Sequence, residues 1–448
     1  MNAYTPSCLG DLIRRLRRAE GLTLEQLSAR AQVGVRTLGD LERHRITRPH
    51  RRTIEALIDV LGPGSGDREA IWAALRPPSS IGSAPARDTV GEPGTPPLTV
   101  GRDSEMAAFT RWFDERYNQG EVTGPIVITG LPGIGKTTLG REICRTHRSR
   151  FADGRFRLDL GGSDSRPMTT ADALSHLLTR IGVPAVEIPS AEQDRVLLYR
   201  ARMHTIAMIV GLDNAADEAQ VRPLLVDSTH SITIVASRRP LTGLDAGHRI
   251  GLAELNPAAA REALEAMLDD PHRLVAEPVA ADELVRLCCG LPLALRLVAN
   301  RLASRPRMSV RGLVDRMKLP GDRLTWMAAG DVQIRTVLAD QHAGLTSAQR
   351  SAVRRLSLIR TSEVSTEAAA VLLGLDLLSA EEQLEDLVDA GVLSFGSGTG
   401  RYWLNELVQI YARETGTPDE PAVPASSGDL TGQVRELRSV LNQPGRAA

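Results

Sequence analysis

The residues with the clearest chemistry lie between 130 and 138, where the sequence reads GLPGIGKTT. Glycines at this spacing let backbone N–H groups approach a phosphate closely, and a helix that starts here adds partial positive charge. Lys136 would neutralise the β- and γ-phosphates of a nucleotide, and the hydroxyl of Thr137 would ligate Mg²⁺. The pattern predicts a nucleoside triphosphate site with these phosphate-binding residues: Gly130, Gly133, Gly135, Lys136, Thr137 and Thr138.

Two positions further along the chain complete the predicted site. A mostly apolar run over 205–212 ends at Asp213, whose carboxylate would hold Mg²⁺ through water. Asn214 follows where a fast hydrolase would place an acid, and an amide cannot accept a proton from water, so we expect weak, slow ATPase activity. Arg238 follows a third run, 231–236, and would sense the γ-phosphate, although an exposed surface arginine is the alternative. The predicted catalytic residues are Lys136, Asp213 and Arg238, with Thr137 and Asp213 as metal ligands.

The surrounding sequence predicts an α/β domain that positions these residues. Residues 125–129 read PIVIT, a β-branched run that indicates a buried strand leading directly into the glycine-rich loop. Between 98 and 255 such runs alternate with helical patterns, which is typical of a parallel sheet covered by helices. The sequence therefore predicts a P-loop NTPase domain over 98–255.

The remaining sequence is mostly helical in pattern and is divided by two linkers. Residues 76–97 contain six prolines and lack apolar periodicity, so they are predicted to be a flexible linker. Residues 256–414 are almost entirely helical, with one hairpin predicted at 391–404. Residues 415–448 are predicted to be a second linker and a short tail.

Residues 1–75 have the pattern of a small helical module. Thr23 and Gln26 form a capping box that starts a second helix, with Leu27 turned inward. A tight turn at 32–34 then leads into a third helix at 35–43. Two short helices joined in this way match the helix-turn-helix unit, whose second helix enters the major groove of DNA.

The charge of this module favours DNA as its partner. Residues 1–62 hold eleven arginines against seven acidic residues, an excess that attracts phosphates. Arg36 and Thr37, at the start of the third helix, are the candidates for base contact, because arginine bonds guanine bidentately and threonine suits thymine. Arg43 and Arg45 would contact the backbone. The alternative is a helical bundle for protein contacts whose arginines are only solvated.

Composition excludes several other classes of protein. The chain of 448 residues is 42% hydrophobic and 24% charged, which is ordinary for a globular protein. Its net charge of −1 means that DNA contact must come from a local patch. No run approaches the ~18 apolar residues of a membrane span, so no membrane partner is expected. The four cysteines form no CxxC pair, which predicts a reduced, cytoplasmic protein.

Four segments resemble the NB-ARC module of STAND-class signalling ATPases: GLPGIGKTTL, IVGLDNAADEAQVRPLL, TIVASRRPLTGL and LCCGLPLALRLVANRLASRP. The resemblance spans roughly 98–414 with the motifs in the family's order, and it is strongest to actinomycete regulators of antibiotic production. Residues 9–61 resemble the Cro/repressor-like (XRE-type) helix-turn-helix domain. The resemblance implies ATP/ADP as the nucleotide, a helical domain at 256–340 and a winged-helix domain at 341–414, so the expected fold class is multidomain.

The resemblance also implies four further nucleotide-binding residues. Pro292 would pack on the adenine, although proline also suits the first turn of a helix. Gly101 and Arg102 would lie near the base or ribose. The family has a histidine where this chain has Asn405, and that histidine contacts the ADP β-phosphate. Asn405 can donate a hydrogen bond but cannot become cationic, so either the ADP contact is weakened or the position tolerates drift.

Together these patterns predict a DNA-binding transcription regulator switched by ATP and ADP. ADP would hold the winged helix closed, and ATP would open it and allow self-association, which raises DNA affinity by bivalency. The predicted partners are double-stranded DNA and a second copy, with RNA polymerase or an activating ligand as further candidates. One rival is an immune-type STAND protein whose N-terminal module is an effector domain or an interface for protein interaction. The other, a plain ATPase enzyme, is disfavoured because no further catalytic or metal constellation appears.

Overall fold

The computed structural model describes residues 9–31, 33–42, 51–61, 99–118, 124–162, 166–226, 228, 230–359 and 361–415. The chain divides into two units, Met1–Ala84 and Pro85–Ala448. The predicted linker at 76–97 and the predicted tail after 415 lie outside the described residues. The finer domain boundaries given above stay predictions.

In the N-terminal unit the described residues form four short helices: α1 (Leu9–Ala19), α2 (Leu24–Ala31), α3 (Val35–Glu42) and α4 (Arg51–Leu61). Their apolar faces form one core, in which Ile13, Leu27, Leu38 and Leu57 are completely buried. The predicted capping box is confirmed at the start of α2, because Thr23 and Gln26 exchange hydrogen bonds between side chain and backbone at 2.9 and 3.2 Å. This reciprocal pair satisfies two N–H groups that a helix N-terminus otherwise leaves without a partner.

A parallel five-stranded sheet forms the first part of the second unit. The strands are β1 (Ile126–Thr129), β2 (Arg155–Asp159), β3 (Ile209–Ala215), β4 (Ile232–Ser237) and β5 (His248–Gly251), in the order β2-β3-β4-β1-β5. All four pairings are parallel, as the alternating pattern predicts. The helices of this part are α5 (Asp103–Asn118), α6 (Lys136–Thr146), α7 (Thr170–Arg180), α8 (Glu192–Met203) and α9 (Glu218–Val221), with 3₁₀ turns at Arg148–Arg150, Ala185–Glu187 and Arg222–Leu224.

The sheet is buried on both faces, which explains its nearly continuous apolar strands. In β1, Ile126 and Ile128 pack into one core, while Val127 packs into a second core on the opposite face. Since the strands are parallel, the carboxyl ends of β1, β3 and β4 meet at one edge. That edge therefore carries the glycine-rich loop, Asp213 and Arg238, and ligands of open α/β sheets bind at this edge.

Helices follow the sheet domain: α10 (Pro257–Met267), α11 (His272–Ala276), α12 (Pro278–Leu287), α13 (Pro292–Ala303), α14 (Val310–Met317), α15 (Arg323–Trp326) and, after a small ladder of β6 (Ala328–Ala329) and β7 (Val332–Gln333), α16 (Ile334–Ala343). The core that lies under one face of the sheet continues through these helices. The helical region and the sheet domain therefore share one hydrophobic core.

The last part of the second unit is a winged helix. It contains α17 (Ser347–Leu356), β8 (Glu363–Ser365), α18 (Thr366–Leu373), α19 (Leu377–Asp389), β9 (Ser394–Phe395), β10 (Arg401–Trp403) and α20 (Glu406–Thr415). The strands form an antiparallel sheet in the order β8-β10-β9. The predicted hairpin at 391–404 is thus confirmed as the wing. None of the helices in the described ranges has the length and apolar character that a membrane span requires.

Candidate nucleotide-binding site

The glycine-rich loop connects β1 to α6 in the strand–loop–helix context that the sequence predicts. Gly133 and Gly135 adopt φ angles of 78° and 102°, which only glycine takes without strain. Gly135 lies at the N-cap of α6 and brings no side chain to the first N–H groups of the helix. Those N–H groups and the helix dipole favour an anion at this point.

Lys136 lies in the first turn of α6 and folds back over the loop. Its Nζ donates to the carbonyl oxygens of Gly130 at 2.8 Å and of Leu131 at 3.0 Å. Burial, together with the nearby charge of Arg238, lowers the pKa of Lys136 to about 7, while Asp213 acts in the opposite direction. The ammonium group is therefore held where an added negative charge, such as a phosphate, would strongly favour its protonated form.

Asp213 and Arg238 both lie at the sheet edge beside this lysine. The Thr137 hydroxyl donates to Asp213 Oδ1 at 3.4 Å, which links the loop to the end of β3. Arg238 follows β4 directly, and its electrostatic effect on Lys136 places its charge near the loop. The predicted group of Lys136, Thr137, Asp213 and Arg238 is thus gathered at one edge, while its roles in binding and hydrolysis stay predictions.

Asp213 has a strong partner that sequence reasoning missed. Arg157, on the neighbouring strand β2, donates from Nε to Asp213 Oδ2 at 3.0 Å and contacts both carboxylate oxygens through Nη2. The two side chains are only 12% and 14% exposed. The guanidinium already balances the charge of this carboxylate, so a metal ion bound beside it would meet a like charge, and the ion pair opposes a metal-binding role for Asp213 as placed here.

A cavity of about 250 Å³ lies against the loop and is closed by the helical region. The N–H of Leu293, at the start of α13, donates to the Gly133 carbonyl at 3.1 Å, which joins the two parts directly. Pro292 lines this cavity and also occupies the first position of α13, and its contact with adenine stays a prediction. The other lining residues are Thr99, Val100, Arg102, Ile134, Lys136, Thr137, Thr138, Leu139, Leu255, Ala263, Met267, Leu293 and Arg296, with the glycines at 133 and 135.

Gly101 and Arg102 differ in their relation to the cavity, because only Arg102 lines it directly. Arg102 lines the cavity, donates from Nη2 to the Ile134 carbonyl at 3.1 Å and pairs with Glu105 at 2.9 Å. Gly101 packs instead against α10, where an added Cβ would lie 2.5 Å from the Cβ of Ala259. Gly101 therefore shapes the wall of the cavity through close packing, whereas Arg102 brings a guanidinium group to it.

Arg296 is a cavity residue that sequence reasoning missed. It is exposed and lies on α13, four residues after Pro292. Residues four apart share one face of a helix, so this spacing was a usable signal once Pro292 had been assigned to the site. Its guanidinium adds a third positive charge to the cavity, beside those of Lys136 and Arg102.

Asn405 is not among the residues that line the cavity. Its Nδ2 donates to Glu254 Oε1 at 2.9 Å, and its Oδ1 accepts from the N–H of Leu407 at 2.9 Å. Trp403 Nε1 donates to the same Glu254 oxygen at 3.1 Å. In this structure Asn405 thus connects the winged helix to the segment after β5, and the contact with ADP stays a prediction.

Glu406 forms a second link between the winged helix and the helical region. Arg323 donates from Nη1 to Glu406 Oε1 at 2.7 Å and from Nη2 to Oε2 at 3.2 Å. Burial raises the pKa of Glu406, but the hydrogen bonds and charge of Arg323 outweigh it and hold that pKa below its ordinary value. Arg323 also donates to the carbonyl of Leu287, so α15, α12 and α20 are tied together.

The predicted DNA-contact residues are only partly within the described structure. Arg36 and Thr37 lie in the first turn of α3, and Thr37 is half-buried. The side chain of Arg36 is outside the described part, as are Arg43 and Arg45 entirely. The DNA contacts of all four residues stay predictions.

Two arginines of α1 are engaged inside the N-terminal unit. Arg17 donates from Nε to Glu42 Oε1 at 2.7 Å, and Arg14 donates from Nε to Oε2 at 3.3 Å. Burial raises the pKa of Glu42, but its bonds to Arg17 and Arg14 outweigh this and keep the pKa below its ordinary value. The excess of arginine in the sequence therefore serves folding in part, which reduces the charge that is free to meet DNA.

Comparisons with known proteins agree with the N-terminal fold. Residues 9–71 match the family described as the helix-turn-helix domain. The N-terminal module is a helix-turn-helix domain. This confirms the prediction made from the capping box, the tight turn and the apolar faces of the module.

The chain is also similar to two curated regulators. It is 33% identical over 331 residues to the regulatory protein AfsR of Streptomyces griseus, which covers 73% of this chain and 34% of that protein. It is 33% identical over 328 residues to the regulatory protein AfsR of Streptomyces coelicolor, covering 72% and 33%. This similarity confirms the predicted resemblance to actinomycete regulators, although the chain spans only about a third of their length.

Two solved structures show a weaker likeness. One is the Thermotoga maritima RuvB Holliday junction branch migration motor, with a TM-score of 0.30, 17% identity, and coverage of 71% of this chain and 96% of that chain. The other is the Aeropyrum pernix ORC2 protein, with a TM-score of 0.34, 14% identity, and coverage of 72% and 95%. At these scores neither likeness informs the fold or the function of this chain.

Proposed function

We propose that this protein is a DNA-binding transcription regulator whose state is set by bound ATP or ADP. The observation that carries the proposal is the cavity between the glycine-rich loop and α13, closed by the bond from Leu293 to Gly133, in a chain whose residues 9–71 are a helix-turn-helix domain. The similarity to two proteins named as regulatory supports the same conclusion.

The cavity suits a nucleotide in its distribution of charge. Its phosphate end has the N–H groups of the loop, the ammonium of Lys136 and the nearby charge of Arg238. Its other end is lined by apolar side chains, including Met267 and Pro292, against which a base can pack. Arg296 and Arg102 line the same cavity and can reach either the phosphates or the ribose.

Slow hydrolysis suits a switch better than a motor. Asn214 follows Asp213 and adopts a left-handed conformation with φ of 53°. Its amide can orient a water molecule but cannot take a proton from it, so the general base of a fast hydrolase is missing at this position. The bound nucleotide would then persist long enough to define a state of the protein.

Mg²⁺, which the sequence predicts at Thr137 and Asp213, does not fit both residues in this arrangement. Thr137 lines the cavity, but Arg157 occupies both carboxylate oxygens of Asp213. We therefore assign no step of the switch to a metal ion.

The winged helix supplies the element that the switch would move. It is connected to the rest of the second unit through Glu254 and through the pair of Arg323 and Glu406. The backbone of Gly391, just after α19, also packs against that of Arg238, so an added Cβ would lie 2.1 Å from the Arg238 carbonyl oxygen. Movement of the segment after β4 in response to a γ-phosphate would therefore disturb the winged helix directly. Release of the winged helix would permit self-association, and paired helix-turn-helix domains would bind DNA more tightly.

The proposal is tested by incubating the full chain with sheared genomic DNA, once with ADP and once with a non-hydrolysable ATP analogue. The retained fragments are sequenced. We expect the wild type to retain discrete DNA sites, and we expect their enrichment to differ between ADP and the ATP analogue. Arg36→Ala should lose these sites. Lys136→Ala should retain them equally with either nucleotide. Arg18→Ala, an exposed arginine on α1, serves as the matched charge control.

Two outcomes would contradict the proposal. Discrete sites that are indifferent to the nucleotide would leave a DNA-binding protein without a switch. No enrichment in either state would favour the rival, in which the N-terminal module is an effector domain or an interface for protein interaction. Of these two outcomes, only the recovery of discrete DNA sites would justify a search for a transcription partner such as RNA polymerase.

A further inference from the structure

Arg157 passes along the sheet between β3 and the phosphate-binding helix α6. It lies on β2 opposite Gly211 of β3, and Asp159 lies opposite Asp213 in the same register. The Arg157 side chain therefore runs two residues along the sheet towards its carboxyl edge. It ends on the carboxylate of Asp213.

Two glycines make room for this side chain. A Cβ on Gly211 would lie 2.9 Å from Arg157 Cγ, and a Cβ on Gly140 of α6 would lie 3.1 Å from Arg157 Nη1. Neither glycine has the positive φ that would require its type for backbone reasons. The absence of a side chain at each position is explained by the space that the guanidinium and its stem occupy.

The resulting ion pair is shielded from water. With the Arg157 and Asp213 side chains 12% and 14% exposed, the loss of either partner leaves a buried charge without compensation. Asp213 also accepts from the Thr137 hydroxyl, so its oxygens face two donors of the protein. A divalent cation that shared this carboxylate would lie beside the guanidinium, and the repulsion between the two positive charges opposes its binding.

We propose that Arg157 supplies at Asp213 the positive charge that a divalent cation would otherwise supply, so that this site binds a nucleoside diphosphate with little dependence on Mg²⁺. The inference rests on the proposed nucleotide site. The evidence for it differs from that for the site itself, because it is the ion pair of Arg157 with Asp213 rather than the cavity. The guanidinium compensates the carboxylate permanently, and the phosphates are held by the loop N–H groups and Lys136.

The test measures the affinity of the full chain for fluorescently labelled ADP in excess Mg²⁺ and in EDTA. We expect the two dissociation constants to agree within about threefold, a difference of less than about 0.7 kcal/mol. A second measurement follows Mn²⁺ by electron paramagnetic resonance. Mn²⁺ should bind the protein–ADP complex no more tightly than it binds free ADP, because Asp213 contributes no ligand.

Variants separate the role of Arg157 from a general effect of charge. Arg157→Gln frees the carboxylate, and we expect ADP affinity to become at least about tenfold dependent on Mg²⁺, with Mn²⁺ bound correspondingly more tightly. Arg157→Lys keeps the charge and should remain close to the wild type. Arg155→Gln removes a charge from the same face of the same strand, and Arg155 makes no hydrogen bond to Asp213 within the described residues, so it should also remain close to the wild type. Thermal unfolding confirms that each variant is folded.

The outcomes distinguish this inference from the proposed function. If wild-type protein binds ADP tenfold more weakly in EDTA, the inference is wrong while the nucleotide site stands. If Mn²⁺ binds the wild-type complex as tightly as it binds the Arg157→Gln complex, the inference is also wrong. If ADP binds in neither condition, the proposed nucleotide site fails and the inference fails with it. Because the first comparison uses the wild type alone, misfolding of a variant does not remove the test.

Discussion

The ammonium group of Lys136 predicts a proton linkage to nucleotide binding. In the structure its pKa lies at about 7 because of burial and the charge of Arg238. A phosphate oxygen placed beside the ammonium would favour its charged form and return the pKa towards the ordinary value of about 10.4. Nucleotide binding should therefore take up a proton wherever the free protein holds this lysine neutral.

The size of the effect follows from the pKa. At pH 8 only about one tenth of the free protein carries the Lys136 charge, so binding should take up about 0.9 protons, against about 0.1 at pH 6. The sign is set by the lowered pKa of the free state: affinity is full below pH 7 and falls as the pH rises, by close to tenfold for each pH unit above about 7. The nucleotide adds little to this signal at pH 8, since a phosphate has its second pKa near ~6.

Isothermal titration calorimetry measures this uptake directly. ADP is titrated into the full chain at pH 8 in two buffers of different ionisation enthalpy, and the difference in observed heat gives the number of protons. Lys136→Arg is the matched control, because a guanidinium stays charged throughout this range and should take up close to none. Wild-type uptake below about 0.2 protons, or equal uptake in the Lys136→Arg variant, would rule out a proton linkage through Lys136.

Three further predictions concern elements around the site and in the N-terminal module. In Gly133→Ala the added Cβ would lie 2.8 Å from the Cβ of Leu293 on α13, and the backbone would keep a φ of 78°. ADP affinity, measured by fluorescence, should therefore fall at least about tenfold. The control is Gly182→Ala, which has a φ of 88° but open space around it and should leave the affinity unchanged. Glu254→Ala removes the acceptor of two bonds from the winged helix, about 1–3 kcal/mol, and should speed hydrogen exchange over 401–415, while Glu254→Gln keeps an acceptor oxygen and should not. Thr23→Ala breaks the capping box and should lower the free energy of unfolding of the N-terminal unit by about 1 kcal/mol, as measured by urea denaturation. The control is Glu20→Ala at an exposed position, which should change it by less than about 0.5 kcal/mol. Equal effects in a variant and its control would contradict the corresponding assignment.

Local patterns were sufficient for much of the fold. The loop at 130–138 is predictable because strand, turn and helix are adjacent in sequence, and its glycines are required by backbone geometry. The capping box at Thr23 and Gln26 is local in the same way. The parallel sheet and the wing hairpin follow from alternating apolar runs.

Contacts between distant segments could not be predicted from such patterns. Arg157 reaches Asp213 only because β2 pairs with β3 in a particular register, and one sequence alone does not reveal that register. Glu254 and Asn405 are 151 residues apart, so no spacing rule connects them. The metal-binding expectation for Asp213 came from its position at a strand end, which says nothing about the arginine that occupies its oxygens.

Control of DNA binding by the nucleotide can be measured in one equilibrium experiment. A labelled fragment carrying a site recovered with the full chain is titrated with protein in ADP and in a non-hydrolysable ATP analogue, and its fluorescence anisotropy is followed. We expect an affinity at least about tenfold higher with the ATP analogue, a coupling of about 1.4 kcal/mol, and no difference in Lys136→Ala. Equal affinity of the wild type in the two nucleotides would contradict it.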